Sequence, residues 1–282
     1  MSHELTKAHI ILFLSTLIMT IVAGAWHFGV NPIKEPEKLY KGFPFAFSLM
    51  SILLTHELGH YFAARKHGIS ATLPYFIPAP HFFGTFGAFI KIRHAIVTRP
   101  ALLDIGAAGP LAGFVVACAA LLVGLQLSEV HPPLAGSPGS GELILGNSLM
   151  LTWLTEAVLS VRPDSQEIIV LHPVGLAGWI GLFITSLNLL PIGQLDGGHI
   201  LYAMSARVHS MLSKGMIPIL LVLGYFGWPG WIMWSVLVLI LGTNHPPVTY
   251  PTVPLDKRRK LTGWLSLLVF ILTFMPEPIR IE

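Results

Sequence analysis

Apolar residues run along this chain in long blocks separated by short polar links, rather than alternating over short windows. Blocks at residues 9–26, 43–64, 102–125, 174–190, 211–227, 229–243 and 261–275 predict helices. Their lengths approach or reach the roughly 17–25 apolar residues that a bilayer-crossing helix needs. Only Trp228-Pro229-Gly230 divides the 211–227 and 229–243 blocks, so they count as two short spans or one kinked element, six or seven spans in all. The first block ends in Ala23-Gly24-Ala25, which resembles a signal-peptidase site. Its length, and a preceding segment with Lys7 offset by Glu4, favour a retained membrane helix.

Two stretches break the pattern. Between residues 68 and 100, Pro74, Pro78, Pro80, Gly84 and Gly87 interrupt any helix, and Phe86, Ala88, Ile90 and Ile92 alternate with Gly87, Phe89, Lys91 and Arg93. A period of two reads as strand, and with Tyr75 to Ile77 it predicts a hairpin or re-entrant loop within residues 72–93. Non-helical backbone at membrane depth is tolerated only against protein or a wet cavity, so this segment is expected to pack over a site. The second exception is the long loop 126–171, too short for a separate domain. Within it Met150, Leu151, Leu154, Val158 and Val161 share one helical face, which predicts a helix lying on the membrane surface. The third block opens with Gly106-Ala107-Ala108-Gly109-Pro110 and Gly113, small residues that let another helix approach closely.

Composition converts the pattern into a class. Charged residues are 11% and hydrophobic ones 53%, with a mean hydropathy of +0.70, whereas ordinary globular chains carry about 25% charged residues. The expectation is an all-α polytopic membrane protein, a single membrane-embedded domain over residues 1–282. A net charge of +3 could suggest nucleic acid, but the Lys and Arg are scattered through short inter-helix links, where they set orientation instead. With seven spans they gather on the side of the N-terminus, with six they divide almost evenly. The rule that positive charge stays inside therefore prefers seven, with the ends of the second and fourth spans cytoplasmic. The single cysteine, Cys118, excludes a disulfide framework and reads as a small buried hydrophobe.

Candidate chemistry sits at the end of the second block, in His56-Glu57-Leu58-Gly59-His60. Histidines four apart share a helix face, with Cβ atoms about 5–6 Å apart, which suits two nitrogens converging on one metal. Glu57 lies beside that face, where such motifs use glutamate to handle the proton of water. His and Glu are costly in a membrane helix and are functional there by default, as a metal site or as a proton or ion pathway in a transporter. After the fourth block comes Asn188-Leu189-Leu190-Pro191-Ile192-Gly193-Gln194-Leu195-Asp196-Gly197-Gly198-His199, a broken helix carrying the oxygen ligand the first motif lacks. Among the 13 histidines, His199 is a minor candidate for a partner or ligand. His81, His94, His131 and His209 read as interfacial, and His172 and His245 as loop or helix-end residues. Asp104 reads as the N-cap of the third span, and Trp179, Trp228, Trp231 and Trp234 as interfacial anchors or packing residues.

The two motifs together, His56-Glu57-Leu58-Gly59-His60 and Asn188-Leu189-Leu190-Pro191 with Leu195-Asp196-Gly197-Gly198, resemble those of the site-2 proteases, zinc metalloproteases that cut within membranes. The resemblance spans residues 44–203, with Gly84-Thr85-Phe86-Gly87 and Gly109-Pro110 falling between the motifs in the family's order. It implies a three-helix catalytic core from the second, third and fourth spans, and one zinc ion per chain held by His56, His60 and Asp196. Glu57 would be general base and then proton donor, and Asn188 a contact to the substrate backbone or the oxyanion. A strand edge including Gly84, Phe86 and Gly87 would pair with an unwound transmembrane protein substrate. The implied place is the lipid bilayer of the inner, cytoplasmic membrane, with the active site nearer the cytoplasmic face. Neither a PDZ nor a CBS domain fits in the loops, so the chain resembles a compact form of the family. A CAAX-type peptidase is disfavoured because its third ligand is typically a glutamate, and an inactive adaptor because the ligand set is intact. The sequence is silent on oligomeric state.

Overall fold

A computed structural model describes residues 5–131, 143–161 and 167–281. Its helices are α1 (Lys7–His27), α2 (Phe43–Lys66), α3 (Arg99–Gln126), α4 (Leu149–Leu159), α5 (Pro173–Asn188), α6 (Asp196–Met204), α7 (Ala206–Phe226), α8 (Gly230–Leu241) and α9 (Lys257–Thr273), with a short 3-10 turn at Pro36–Gly42. The strands are short: β1 (Tyr75–Pro78), β2 (Thr85–Phe89), β3 (Glu129–His131), β4 (Leu143–Leu145), β5 (Ile168–Val170) and β6 (Ile279–Ile281). Among the described residues α1, α3 and α7 are long and apolar enough to cross a membrane, and α4, α5 and α8 are shorter apolar helices. At 24 residues α2 has the length, but Thr55, His56, Glu57 and His60 interrupt its apolar run. Large apolar side chains such as Ile11, Ile18, Val222, Phe226, Ile240 and Leu261 are exposed on the helices. Exposed apolar surface on this scale suits lipid better than water.

Several expectations change in detail. The 211–243 region is two helices, because Pro229 begins α8 as its N-cap and a Cβ on Gly224 would lie 2.8 Å from the Ile232 backbone nitrogen where the two pack. Asp104 is no N-cap: α3 begins five residues earlier, at Arg99, and the Asp104 carboxylate takes hydrogen bonds from Arg259 Nε at 3.0 Å and Nη2 at 2.8 Å. Cys118 is half-buried, not fully enclosed. The long loop contains the expected helix as α4, started by Ser148 Oγ accepting from Leu151 N–H, and also contributes strands that its composition did not announce. Its Gly- and Pro-rich start lies outside the described residues.

Two compact units emerge. The first comprises Met1–Ala95, Leu111–Val130 and Ile169–Leu182. Here α2 meets the later part of α3 and the start of α5 through small residues: Gly113 faces His56, Gly178 faces Leu121, and Gly181 faces Ala117 and Ile52. The start of α2 also meets α1, whose Gly24 sits against Gly42 and Phe45. The β1–β2 hairpin packs on α1 through His9 stacked on Tyr75 (4.0 Å between ring centroids) and Phe13 edge-on to Phe76.

The second unit comprises Ile96–Pro110, His131–Ile168 and Phe183–Glu282. Leu102, Leu103, Ala203, Val248 and Leu255 form one of its apolar clusters. The Arg99 guanidinium caps α6, donating to the carbonyls of Ala203 at 2.7 Å and Met204 at 2.9 Å, where cations suit the negative helix end.

Candidate metal centre

The first half of the candidate site is one face of α2. His56, Glu57 and His60 are buried, at 5%, 7% and 8% exposure, although all three are polar. The i, i+4 spacing brings the Nε2 atoms of His56 and His60 to 3.1 Å. At that separation both can reach a single zinc ion at the usual Zn–N distance of about 2.0–2.1 Å. The fit depends on α3: a Cβ on Gly113 would stand 3.2 Å from both Cβ and Nδ1 of His56, so the missing side chain leaves room for the ring. Arg65 and Lys66 close the helix, where positive charge complements the C-terminal dipole.

The hairpin carries the other candidate residues of this unit. Tyr75 pairs with Phe89, Phe76 with Ala88 and Ile77 with Gly87, and an irregularity at Ile77/Pro78 sets Pro78 opposite Thr85. Pairing continues past the strands, through Thr72 N–H to the Lys91 carbonyl and Arg93 N–H to the Ser70 carbonyl. Gly84 (φ +74°) and Gly87 (φ +100°) occupy conformations other residues rarely adopt. Gly84 also lies so close to α1 that a Cβ would meet the Thr20 Cα at 2.6 Å. The buried Thr85 hydroxyl ties the bend, donating to Ile77 O at 2.8 Å and accepting from Gly87 N–H at 2.9 Å. Phe86 points outward, 71% exposed. The loop between the strands is held to α1 by His27 Nε2, which donates to Phe82 O at 2.7 Å.

Asn188 and Asp196 belong to the second unit. Asn188 is the last residue of α5 and Asp196 the first of α6, both half-buried. Pro191 ends the helical run, because it lacks an N–H and restricts the residue before it. The two glycines after Asp196 make the return possible: a Cβ on Gly197 would lie 2.0 Å from Leu189 O, and one on Gly198 2.5 Å from Gly193 O. Asp196 stands at the first position of α6, where the helix dipole favours a negative charge. Thus His56, Glu57 and His60 come together in one unit, with Gly84, Phe86 and Gly87 on the hairpin of that unit, and Asn188 and Asp196 frame one turn in the other.

The expectations from sequence understated the histidines of the second unit. His209 is 2% exposed, not interfacial, and its Nε2 donates to Gly193 O at 3.0 Å. His245 is in a loop, and its Nε2 lies 2.7 Å from Nδ1 of His199. Its ring stacks on Tyr202, with centroids 4.1 Å apart. Burial lowers the pKa of His245 below its ordinary value. The one signal in the sequence was His209 and Ser213 four apart in an apolar helix, the same spacing that marks His56 and His60.

The family model for peptidase family M50 matches residues 44–226. A protein of Arabidopsis thaliana named "Probable zinc metalloprotease EGY1, chloroplastic" is 31% identical over 87% of this chain and 46% of its own length. The rice protein of the same name (Oryza sativa subsp. japonica) is 32% identical over 83% of the chain and 40% of its own length. "Probable zinc metalloprotease EGY2, chloroplastic" of Arabidopsis thaliana is 33% identical over 86% and 43% respectively. The chain spans less than half the length of these relatives. No solved structure matches.

Proposed function

The chain belongs to peptidase family M50, the site-2 protease family, and from that membership we propose that it is a zinc-dependent endopeptidase cutting membrane-protein substrates in or near their transmembrane segments. The observation that carries the reading is the buried His56–His60 pair, its Nε2 atoms 3.1 Å apart on a mostly apolar helix. Two imidazole nitrogens converging at that separation can both reach one metal ion, and nitrogen ligands suit zinc. The relatives' names carry the same metal.

In this reading His56, His60 and Asp196 hold one zinc ion per chain, within a catalytic core of residues 44–203. When bound, zinc supplies Lewis acidity, which polarises a carbonyl and makes water acidic enough to be activated near neutral pH. Glu57, beside the two histidines, takes the proton from the attacking water and returns it to the leaving amine. Asn188 donates its amide N–H to the substrate backbone or to the oxyanion that forms as water adds; losing one such donor typically costs about 10²–10³ in rate.

A transmembrane helix hides its peptide bonds, so the substrate must be locally extended before attack. The hairpin supplies the surface for this. The sheet is two-stranded among the described residues, and with β1 laid against α1, the edge of β2 takes the extended segment by strand addition, Gly84, Phe86 and Gly87 lining it. The surroundings are a lipid bilayer crossed six or seven times, with the ends of α2 and α5 nearer its cytoplasmic face.

The test uses the full chain in detergent and a fluorescently labelled single-span peptide carrying a helix-breaking residue. Wild type is expected to bind about one zinc per chain and to cleave; Glu57→Gln is expected to bind zinc equally and lose at least about 10²-fold in rate. Cleavage at the wild-type rate by Glu57→Gln would remove Glu57 as the base. Zinc or proton transport into vesicles without cleavage would favour the transporter alternative.

A further inference from the structure

The segment between Asn188 and Asp196 has no helix or strand of its own to hold it, yet one of its residues, Gly193, is bonded at both backbone groups. Gly193 N–H donates to Ser213 Oγ at 2.8 Å, and Gly193 O accepts from His209 Nε2 at 3.0 Å. The Ser213 hydroxyl then donates to Thr243 O at 2.7 Å. His209 and Ser213 are 2% and 0% exposed and lie four residues apart on α7, hence on one face. Gly193 has φ +52°, and a Cβ there would meet Gly242 O at 2.5 Å. Glycine is therefore required where the 191–195 turn touches the end of α8.

One turn into α6 a second attachment follows. His245 Nδ1 lies 2.6 Å from Pro246 O, and a carbonyl only accepts, so His245 carries its proton on Nδ1. Burial lowers the pKa of His245, which favours the neutral ring, and a neutral ring protonated on Nδ1 accepts at Nε2. His199 must then donate from Nδ1 across the 2.7 Å contact.

We propose that α7 and the α8–α9 loop clamp the Asn188–Asp196 turn, with His209 and Ser213 as positioning residues of the peptidase reaction and His245 fixing the tautomer of His199. This rests on the zinc-peptidase reading, because Asp196 is the ligand being positioned. Polar groups buried in an apolar helix cost free energy unless bonded, and here the turn's backbone supplies the bonds. A metal site keeps its ligands within about 0.5 Å of the productive geometry only when their support is rigid. The turn gets that support from a part of the chain without a recognisable catalytic motif.

The test uses the full-length protein, purified metal-free in detergent, as wild type, His209→Leu, His209→Gln and Ser213→Ala. Hydrogen–deuterium exchange over residues 188–199 and zinc titration against a chromogenic chelator are measured on each. His209→Leu and Ser213→Ala are expected to speed exchange in the turn and to weaken zinc binding by about 10–100-fold. His209→Gln keeps an N–H that can reach Gly193 O and is expected to remain within about threefold of wild type. Ser213→Ala removes a single oxygen and keeps the result readable if His209→Leu does not fold. Equal exchange and equal zinc affinity in Ser213→Ala and wild type overturn the clamp, and a glutamine variant as impaired as leucine overturns the positioning role of His209. Exchange is read without metal, so the two readings separate: expected exchange in a wild type that takes up no zinc overturns the peptidase reading and the positioning role with it.

Discussion

Two glycines on α3 answer to different neighbours, and the difference is testable. Gly113 faces the His56 ring, with 3.2 Å available to a Cβ. Gly124 faces the backbone of Gly175, where a Cβ would stand 2.1 Å from Cα and N. A side chain at Gly113 must push the imidazole of His56, a candidate metal ligand, whereas one at Gly124 must push a helix. Gly113→Val is therefore expected to weaken zinc binding at least about tenfold while the thermal unfolding transition moves little. Gly124→Ala is expected to destabilise the fold by about 1–3 kcal/mol while the folded fraction keeps its zinc affinity. Chelator competition and thermal melts of both variants check this, and equal zinc loss in both would mean that Gly113 has no special relation to the site. Of these contacts the sequence disclosed only that small residues gather on this helix. Which neighbour each one meets depends on how α3 is rotated, and no local pattern encodes that rotation.

Among the elements, the hairpin was legible and its anchoring was not. Alternation from Phe86 to Ile92 marks a strand because side chains on successive residues face opposite sides. The observed β2 stops at Phe89, and the alternation beyond it survives as isolated backbone pairing at Lys91 to Arg93. The fastening of the loop to α1, through His27 on Phe82 O and the close approach at Gly84, joins residues too far apart in sequence for any window to relate. Phe86 is largely exposed, its ring meeting His81 edge-on with centroids 4.6 Å apart. Phe86→Ala is expected to raise KM for the single-span peptide several-fold, about 1 kcal/mol of lost apolar contact, with kcat and zinc content unchanged. An unchanged KM would move the substrate off β2. Gly87→Pro is a blunter probe, because φ +100° at that position strains any L residue and proline most.

At the scale of the whole molecule, the apolar blocks and the low charge content already pointed to lipid. Exposed apolar faces on α1, α7, α8 and α9 point the same way in three dimensions. The full chain is expected to stay with membranes through an alkaline carbonate wash and to enter solution only with detergent; release by carbonate alone would mean that the apolar helices do not span. Amino-acid order determined the class, the helical blocks, the strand-forming exception and the candidate-ligand types of both motifs. Those features follow from periodicity and residue chemistry, which are local. Tertiary structure alone decided that Pro229 divides two helices, that Asp104 pairs with Arg259, and that Gly193 is held by His209 and Ser213. Each of these joins residues through space rather than through spacing. His56 and His60 were readable as a pair because a helix brings i and i+4 together by itself. His209 reached Gly193 only because the chain folded back across the break at Pro191.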